Sequence, residues 1–119
     1  MRDKKLLRAK RKRSIRKKVF GSSVRPRLTV FKSSKHIYAQ IINDETGVTL
    51  VSASTLSVSL KSNLEGQSKS EKAASVGKLI AELALSKDLK KVVYDRNGYI
   101  FHGRIKLLAD AAREGGLEF

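Results

Sequence analysis

Apolar and polar residues alternate along two adjacent stretches of this chain. From Arg27 to Lys32, Leu28 and Val30 fall on one face and Arg27, Thr29 and Phe31 on the other. From His36 to Ile42, Ile37, Ala39 and Ile41 oppose His36, Tyr38, Gln40 and Ile42. A period of two marks half-buried strands, and Ser33-Ser34-Lys35 between them reads as the turn of a hairpin. Asn43 to Gly47 is a second turn, and Val48 to Ala53 a third strand, which completes an antiparallel meander. The only proline, Pro26, lacks an N–H and suits the entry to the first strand.

The period changes after a Ser-rich connection over residues 54–69. Ser68 and Glu71 have capping-box spacing, with Ser68 as the cap and Glu71 reaching back. The following helix sets Ala73, Val76, Gly77, Ile80, Leu83 and Ala84 on one stripe and ends near Asp88. Val92 to Tyr94 is a short strand, and Asp95-Arg96-Asn97-Gly98 turns the chain. Arg104 to Glu114 predicts a second amphipathic helix, with Ile105, Leu108, Ala109 and Ala112 inward and Gly115-Gly116 as its stop. The order β-β-β-α-β-α predicts an α/β fold, a mixed sheet with helices packed on it. There is no internal repeat.

Charge changes the picture before the first strand. By residue 27 the chain has thirteen Lys or Arg and one acid, a charge of +12, whereas residues 28–119 add only +3. Two parts follow: a basic tail over 1–23, helical or disordered when free, and a globular domain over 24–119, with Gly21-Ser22-Ser23 as the joint. Like charges at i and i+4, such as Lys4 with Arg8 and Arg13 with Lys17, oppose an isolated helix. A polyanion relieves that repulsion, and nucleic acid does so by releasing counterions from its phosphates. Tail residues Arg8, Lys10, Arg11, Lys12, Arg13, Arg16, Lys17 and Lys18 are therefore candidate phosphate contacts.

Other classes fit poorly. There is no Cys, hence no disulfide or thiolate site. The first thirty residues lack an apolar signal core, and the longest charge-free run, Thr46 to Leu60, is too short and polar to span a bilayer. No phosphate loop, serine elbow or histidine pair at metal-ligand spacing occurs, so no metal, cofactor or catalytic group is expected. A nuclease would need carboxylates around a cation. Asp95 at a strand end is the best placed, although an Asp there more often organises its own turn. No heptad seam suggests self-association, so a monomer is expected for the free chain.

Binding is better supported. The hairpin face of Arg27, Thr29, His36, Tyr38 and Gln40, with Arg25 before it and Lys32 and Lys35 flanking its turn, combines cations, hydrogen-bonding groups and an aromatic ring. A helix laid over that face would instead make Tyr38 core. A second cluster, Arg96, Tyr99, His102, Arg104 and Lys106, falls where the last helix begins.

The run from Tyr94 to Phe119, with Asp95-Arg-Asn-Gly-Tyr99, His102-Gly-Arg104 and Ala109-Asp-Ala-Ala-Arg-Glu114, resembles the C-terminal signature of the bacterial ribosomal protein L-eighteen family. Arg25-Pro-Arg-Leu28, Lys35-His-Ile-Tyr-Ala-Gln-Ile-Ile42 and Ser52-Ala-Ser-Thr55 match it too, and only residues 57–70 are weak. The resemblance implies a ribonuclease-H-like arrangement and a non-catalytic role in the large subunit of a cytoplasmic ribosome. It implies 5S rRNA as partner of the globular part. It also implies a tail that helps attach 5S to 23S rRNA, beside neighbouring large-subunit proteins.

Overall fold

The structure, a computed structural model, describes residues 4–16, 19–57 and 65–119, with the side chains of Lys4, Ile15 and Arg16 left aside. The expectations for Lys17, Lys18 and the Arg16 side chain lie outside the described residues, as do residues 58–64 of the weakly matching 57–70 stretch.

A helix, α1 (Lys4–Arg16), precedes three antiparallel strands, β1 (Arg27–Lys32), β2 (Ile37–Asn43) and β3 (Val48–Ser54). Then come α2 (Lys69–Ser86), β4 (Val93–Asp95) and α3 (Gly103–Glu114). The strand order is β3-β2-β1-β4, and β4 runs parallel to β1 after the α2 crossover. This is the expected mixed α/β sheet. The β1–β2 register pairs Leu28 with Ile41 and Val30 with Ala39, which brings both apolar rows onto one face. A bulge between Ile41 and Ile42 shifts the pairing with β3, from Val51 to Thr49.

The apolar face carries the core. Leu28, Val30, Ile37, Ala39 and Ile41 pack under Val76 and Ile80 of α2 and Ile105 and Leu108 of α3. The four inward residues expected of α3, Ile105, Leu108, Ala109 and Ala112, are all buried. α2 buries more than the expected stripe, because Leu79 and Ala81 are covered as well while Leu83 is only half-buried. The cause is its place against both the sheet and α3, which hides two faces of one helix. Gly77 permits that crossing, since a Cβ there would stand 2.2 Å from the Leu108 carbonyl oxygen.

Local chemistry sets the ends. The Glu71 amide donates to Ser68 Oγ at 3.2 Å, and Ser68 Oγ in turn meets Glu71 Oε1 at 3.1 Å. Gly116, at φ +116, ends α3 while the Leu117 amide donates to the Ala112 carbonyl. Tyr94 ties β4 to α3 through a 2.9 Å hydrogen bond to the Ile105 carbonyl, and burial pushes its phenol well above the usual range.

Arg27 borders the groove on the second face of the sheet but is not an exposed cation. It is 5 % exposed. Its Nε and Nη2 donate to the two Asp44 oxygens at 2.9 Å, and its Nη1 donates to Asp95 Oδ2 at 2.8 Å. Hydrogen bonding to Asp44, reinforced by Asp95, holds the guanidinium charge more firmly than usual despite the opposing effect of burial. The expected phosphate contact at Arg27 is thus corrected: an RNA phosphate would have to displace two carboxylates from a buried fork. Asp95 is equally committed, being fully buried and accepting the Asn97 amide at 2.9 Å through its other oxygen. It organises its turn and pairs with Arg27 rather than facing solvent.

Arg27→Met should therefore destabilise the chain by about 3–5 kcal/mol in urea unfolding, because the fully buried Asp95 and the half-buried Asp44 lose their shared cation. Lys90→Met, which breaks the exposed 3.5 Å pair with Glu118, should change stability by less than about 1 kcal/mol. Equal effects would deny the buried cluster its role. Gly77→Ala should lower stability by about 1–3 kcal/mol, seen as a lower Tm, by forcing α2 off the Leu108 turn.

Candidate nucleic-acid interface

Alternation leaves the second face of the sheet to Thr29, Phe31, His36, Tyr38, Gln40, Ile42, Ser52 and Ser54. Neither α2 nor α3 packs there, so the reading of Tyr38 as core beneath a helix is not realised. Tyr38 is half-buried and Gln40 exposed. A groove of about 550 Å³ runs over this face, lined by Lys12 of α1, Thr29, Phe31, Tyr38, Gln40 and Asn97 among others.

An aromatic row crosses the groove. Phe31 and Tyr38, paired across β1 and β2, have ring centroids 5.8 Å apart, and the His36 ring is 6.4 Å from Tyr38. His36 Nδ1 lies 2.9 Å from Thr55 Oγ1, which orients the ring. Phe31 is 48 % exposed, with neither α2 nor α3 over it. Its neighbours Arg27 and Thr29 were singled out from the sequence and Phe31 was not; the available signal was an aromatic on the polar side of an alternating strand. Rings set on an open sheet face are what unpaired bases stack upon.

Beyond Phe31 the character turns cationic. The turn after β4 has Asn97 at φ +54 and Gly98 at φ +78, two left-handed residues in succession, for which Asn-Gly is the natural pair. The turn aims two carbonyls at α1. Arg8 Nε donates to the Asn97 carbonyl at 3.2 Å, and Arg11 Nε donates to the Gly98 carbonyl at 2.8 Å. α1 lies directly on Gly98, where a Cβ would stand 2.4 Å from the Arg8 carbonyl oxygen. The Arg8 guanidinium sits over the Tyr99 ring at 4.1 Å and lies 5.9 Å from the Phe31 ring.

Tyr99 is itself fixed to β1, since its hydroxyl accepts from the Lys32 amide and donates to the Lys32 carbonyl, each at 3.2 Å. Arg96 closes the same turn by donating from Nη1 to the Tyr99 carbonyl. His102 is exposed and caps α3 without a side-chain hydrogen bond, and Arg104 occupies the first turn. Burial, aided by the charge of Arg104, pushes the Lys32 ammonium below its usual range.

The structure thus joins what the sequence separated. Arg8, Arg11, Lys32, Tyr99 and His102 line one cleft, and Lys12, Tyr38 and Gln40 line the adjoining groove. Lys10, Arg13, Arg25 and Lys35 are exposed around them. The expected joint at Gly21 is a tether: its amide donates to Asp44 Oδ2 at 2.7 Å, and its carbonyl accepts from the Asp44 amide at 2.7 Å. Among the described residues, no group of three His, Cys, Asp or Glu could hold a metal ion. No helix among them is long and apolar enough to cross a membrane.

Comparison with known proteins adds an independent line. Residues 2–119 match the family described as "Ribosomal L18 of archaea, bacteria, mitoch. and chloroplast". The chain is 60% identical over 117 residues to the large ribosomal subunit protein uL18 of Pseudothermotoga lettingae, covering 98% of this chain and 96% of that one. It is 55% identical to the uL18 of Desulforamulus reducens over 117 residues, with the same coverage of both chains. The uL18 of Thermotoga petrophila is 60% identical over 116 residues, 98% of this chain and 95% of its own. With a family match across nearly every residue and relatives identical at more than half of the aligned positions, the chain belongs to the ribosomal L18 family, structural proteins of the large ribosomal subunit.

Proposed function

We propose that this protein binds 5S rRNA and helps attach it to 23S rRNA, as a non-catalytic component of the large subunit. The observation that carries the reading is the uncovered sheet face, where the His36–Tyr38–Phe31 row runs into the Arg8 and Tyr99 stack. Stacking rings next to a cationic edge suit folded RNA with exposed bases better than a smooth duplex. In this reading the sheet face and the 96–104 segment meet 5S rRNA. The lysines and arginines of α1 and the residues after it supply phosphate contacts and reach toward 23S rRNA. Arg27 has no place among the contacts, and Phe31 joins them. Residues 1–23 remain the electrostatic arm in function even though α1 touches the body.

Filter binding of the full chain at about 150 mM salt should show a clear preference for 5S rRNA over a scrambled RNA of equal length and over duplex DNA. Equal binding to all three would reduce the protein to a generic polyanion binder. Affinity should fall steeply with salt, on the order of 10³–10⁵ between 50 and 200 mM if six to ten phosphates are neutralised as on duplex. Removing residues 1–23 should flatten that slope yet keep a preference for 5S rRNA.

Phe31→Ala and Tyr38→Ala should each weaken 5S rRNA binding by about 1–3 kcal/mol with the salt slope unchanged, as lost base stacking requires. A change in the salt slope would instead assign these rings to placing the phosphate contacts.

A further inference from the structure

We propose that the cleft between α1 and the body is a pocket for a single phosphate group, built by both parts of the chain: Arg8 and Arg11 from α1, and Lys32 and His102 from the body. The inference rests on the RNA-binding reading above and names the chemistry of one place within it.

The cleft, about 350 Å³, is lined by Arg8, Arg11, Lys32, Tyr99, Ile100 and His102. No acidic residue is among them. Each arginine anchors itself through Nε to a turn carbonyl, and the terminal nitrogens of both donate to no other described group. Such an arginine is held in place by one edge while its fork remains for an anion. The Arg8 plane is held further by the Tyr99 ring at 4.1 Å, and the Lys32 ammonium stands 5.4 Å from the same ring.

Burial and then the charge of Arg104 work against the Lys32 charge, a cost at Lys32 that a bound anion would offset. His102 adds a ring at the start of α3, where its extended backbone makes the cap without a side-chain bond to the first turn. A phosphate is the anion this set fits, since several donors converge from different elements.

The pocket depends on α1 being docked. Gly98 secures that, because its left-handed backbone and lack of a Cβ let the Arg8 carbonyl and Lys12 approach the turn. The phosphate can come from an RNA backbone or from free phosphate, and the experiment separates the two.

The test is a titration of the isotope-labelled full chain with inorganic phosphate against chloride at constant ionic strength, followed by amide NMR. Amides of Arg8, Arg11, Lys32, Tyr99 and His102 should shift together and saturate with one affinity. Arg11→Ala should weaken that affinity about tenfold, as loss of one charge-assisted contact implies. Gly98→Ala should do the same by displacing α1, whereas Lys69→Ala, at the start of α2, should leave it unchanged. Non-saturating shifts spread over all the tail cations would overturn the pocket. So would an Arg11→Ala titration identical to wild type, which would leave α1 without a part.

Saturating 5S rRNA should abolish phosphate binding, and persistence of that binding would overturn the assignment to RNA. A chain that prefers 5S rRNA but never saturates with phosphate keeps its function and loses this pocket. Saturation without a 5S rRNA preference does the reverse.

Discussion

One buried cation orders the interface. Arg27 enters β1 with its guanidinium clamped by Asp44 from the β2–β3 turn and by Asp95 from the end of β4. Each carboxylate then does a second task. Asp44 takes the Gly21 amide and so fixes where the N-terminal segment leaves the body. Asp95 takes the Asn97 amide and so shapes the turn whose carbonyls receive Arg8 and Arg11. Both ends of the N-terminal segment are thereby referred to one side chain. A buried ion pair is a poor source of net stability, since desolvation offsets much of the attraction. Its contribution here is geometric, holding three remote segments in one arrangement.

The two faces of the sheet divide the labour. One is dry, with aliphatic rows under α2 and α3, and it supplies the hydrophobic driving force. The other is left without helix cover, and its aromatic row is stiffened by Thr55 on His36 and by the β1–β2 register that pairs Phe31 with Tyr38. Rigid rings on a rigid sheet lose little entropy on binding, which suits the shape-selective role proposed for this face. In the proposed function the tail's charge would add reach and dependence on salt; the docked part of α1 extends the rigid surface by one helix.

Much of this was legible in the residues. Period-two alternation located three strands, Ser68 and Glu71 marked the start of α2, and the stripe Ile105, Leu108, Ala109, Ala112 described the buried side of α3 correctly. The failures share one cause, contacts made between distant parts of the chain. Arg27 looked like a surface cation because alternation assigns a face and not a neighbour; its partners stand 17 and 68 residues away. Leu79 and Ala81 were missed because a single stripe assumes a single packing partner. The docking of α1 was hidden because its arginines bind backbone carbonyls, which no side-chain pattern advertises. The Asn97-Gly98 turn was recognised as a turn, whereas its use as a seat for α1 depends on the tight approach at Gly98.

On this reading α1 and the sheet face form one surface before RNA arrives, held by the Arg27 cluster. Amide hydrogen exchange on the RNA-free full chain tests it most directly. Slowed exchange is expected from Arg8 to Lys12 of α1 and at Gly21, lost at both places in Arg27→Met under conditions where the core amides of β1 and β2 stay protected. Exchange of α1 at the rate of an unstructured peptide in the wild-type chain would contradict it and return the N-terminal segment to a flexible arm.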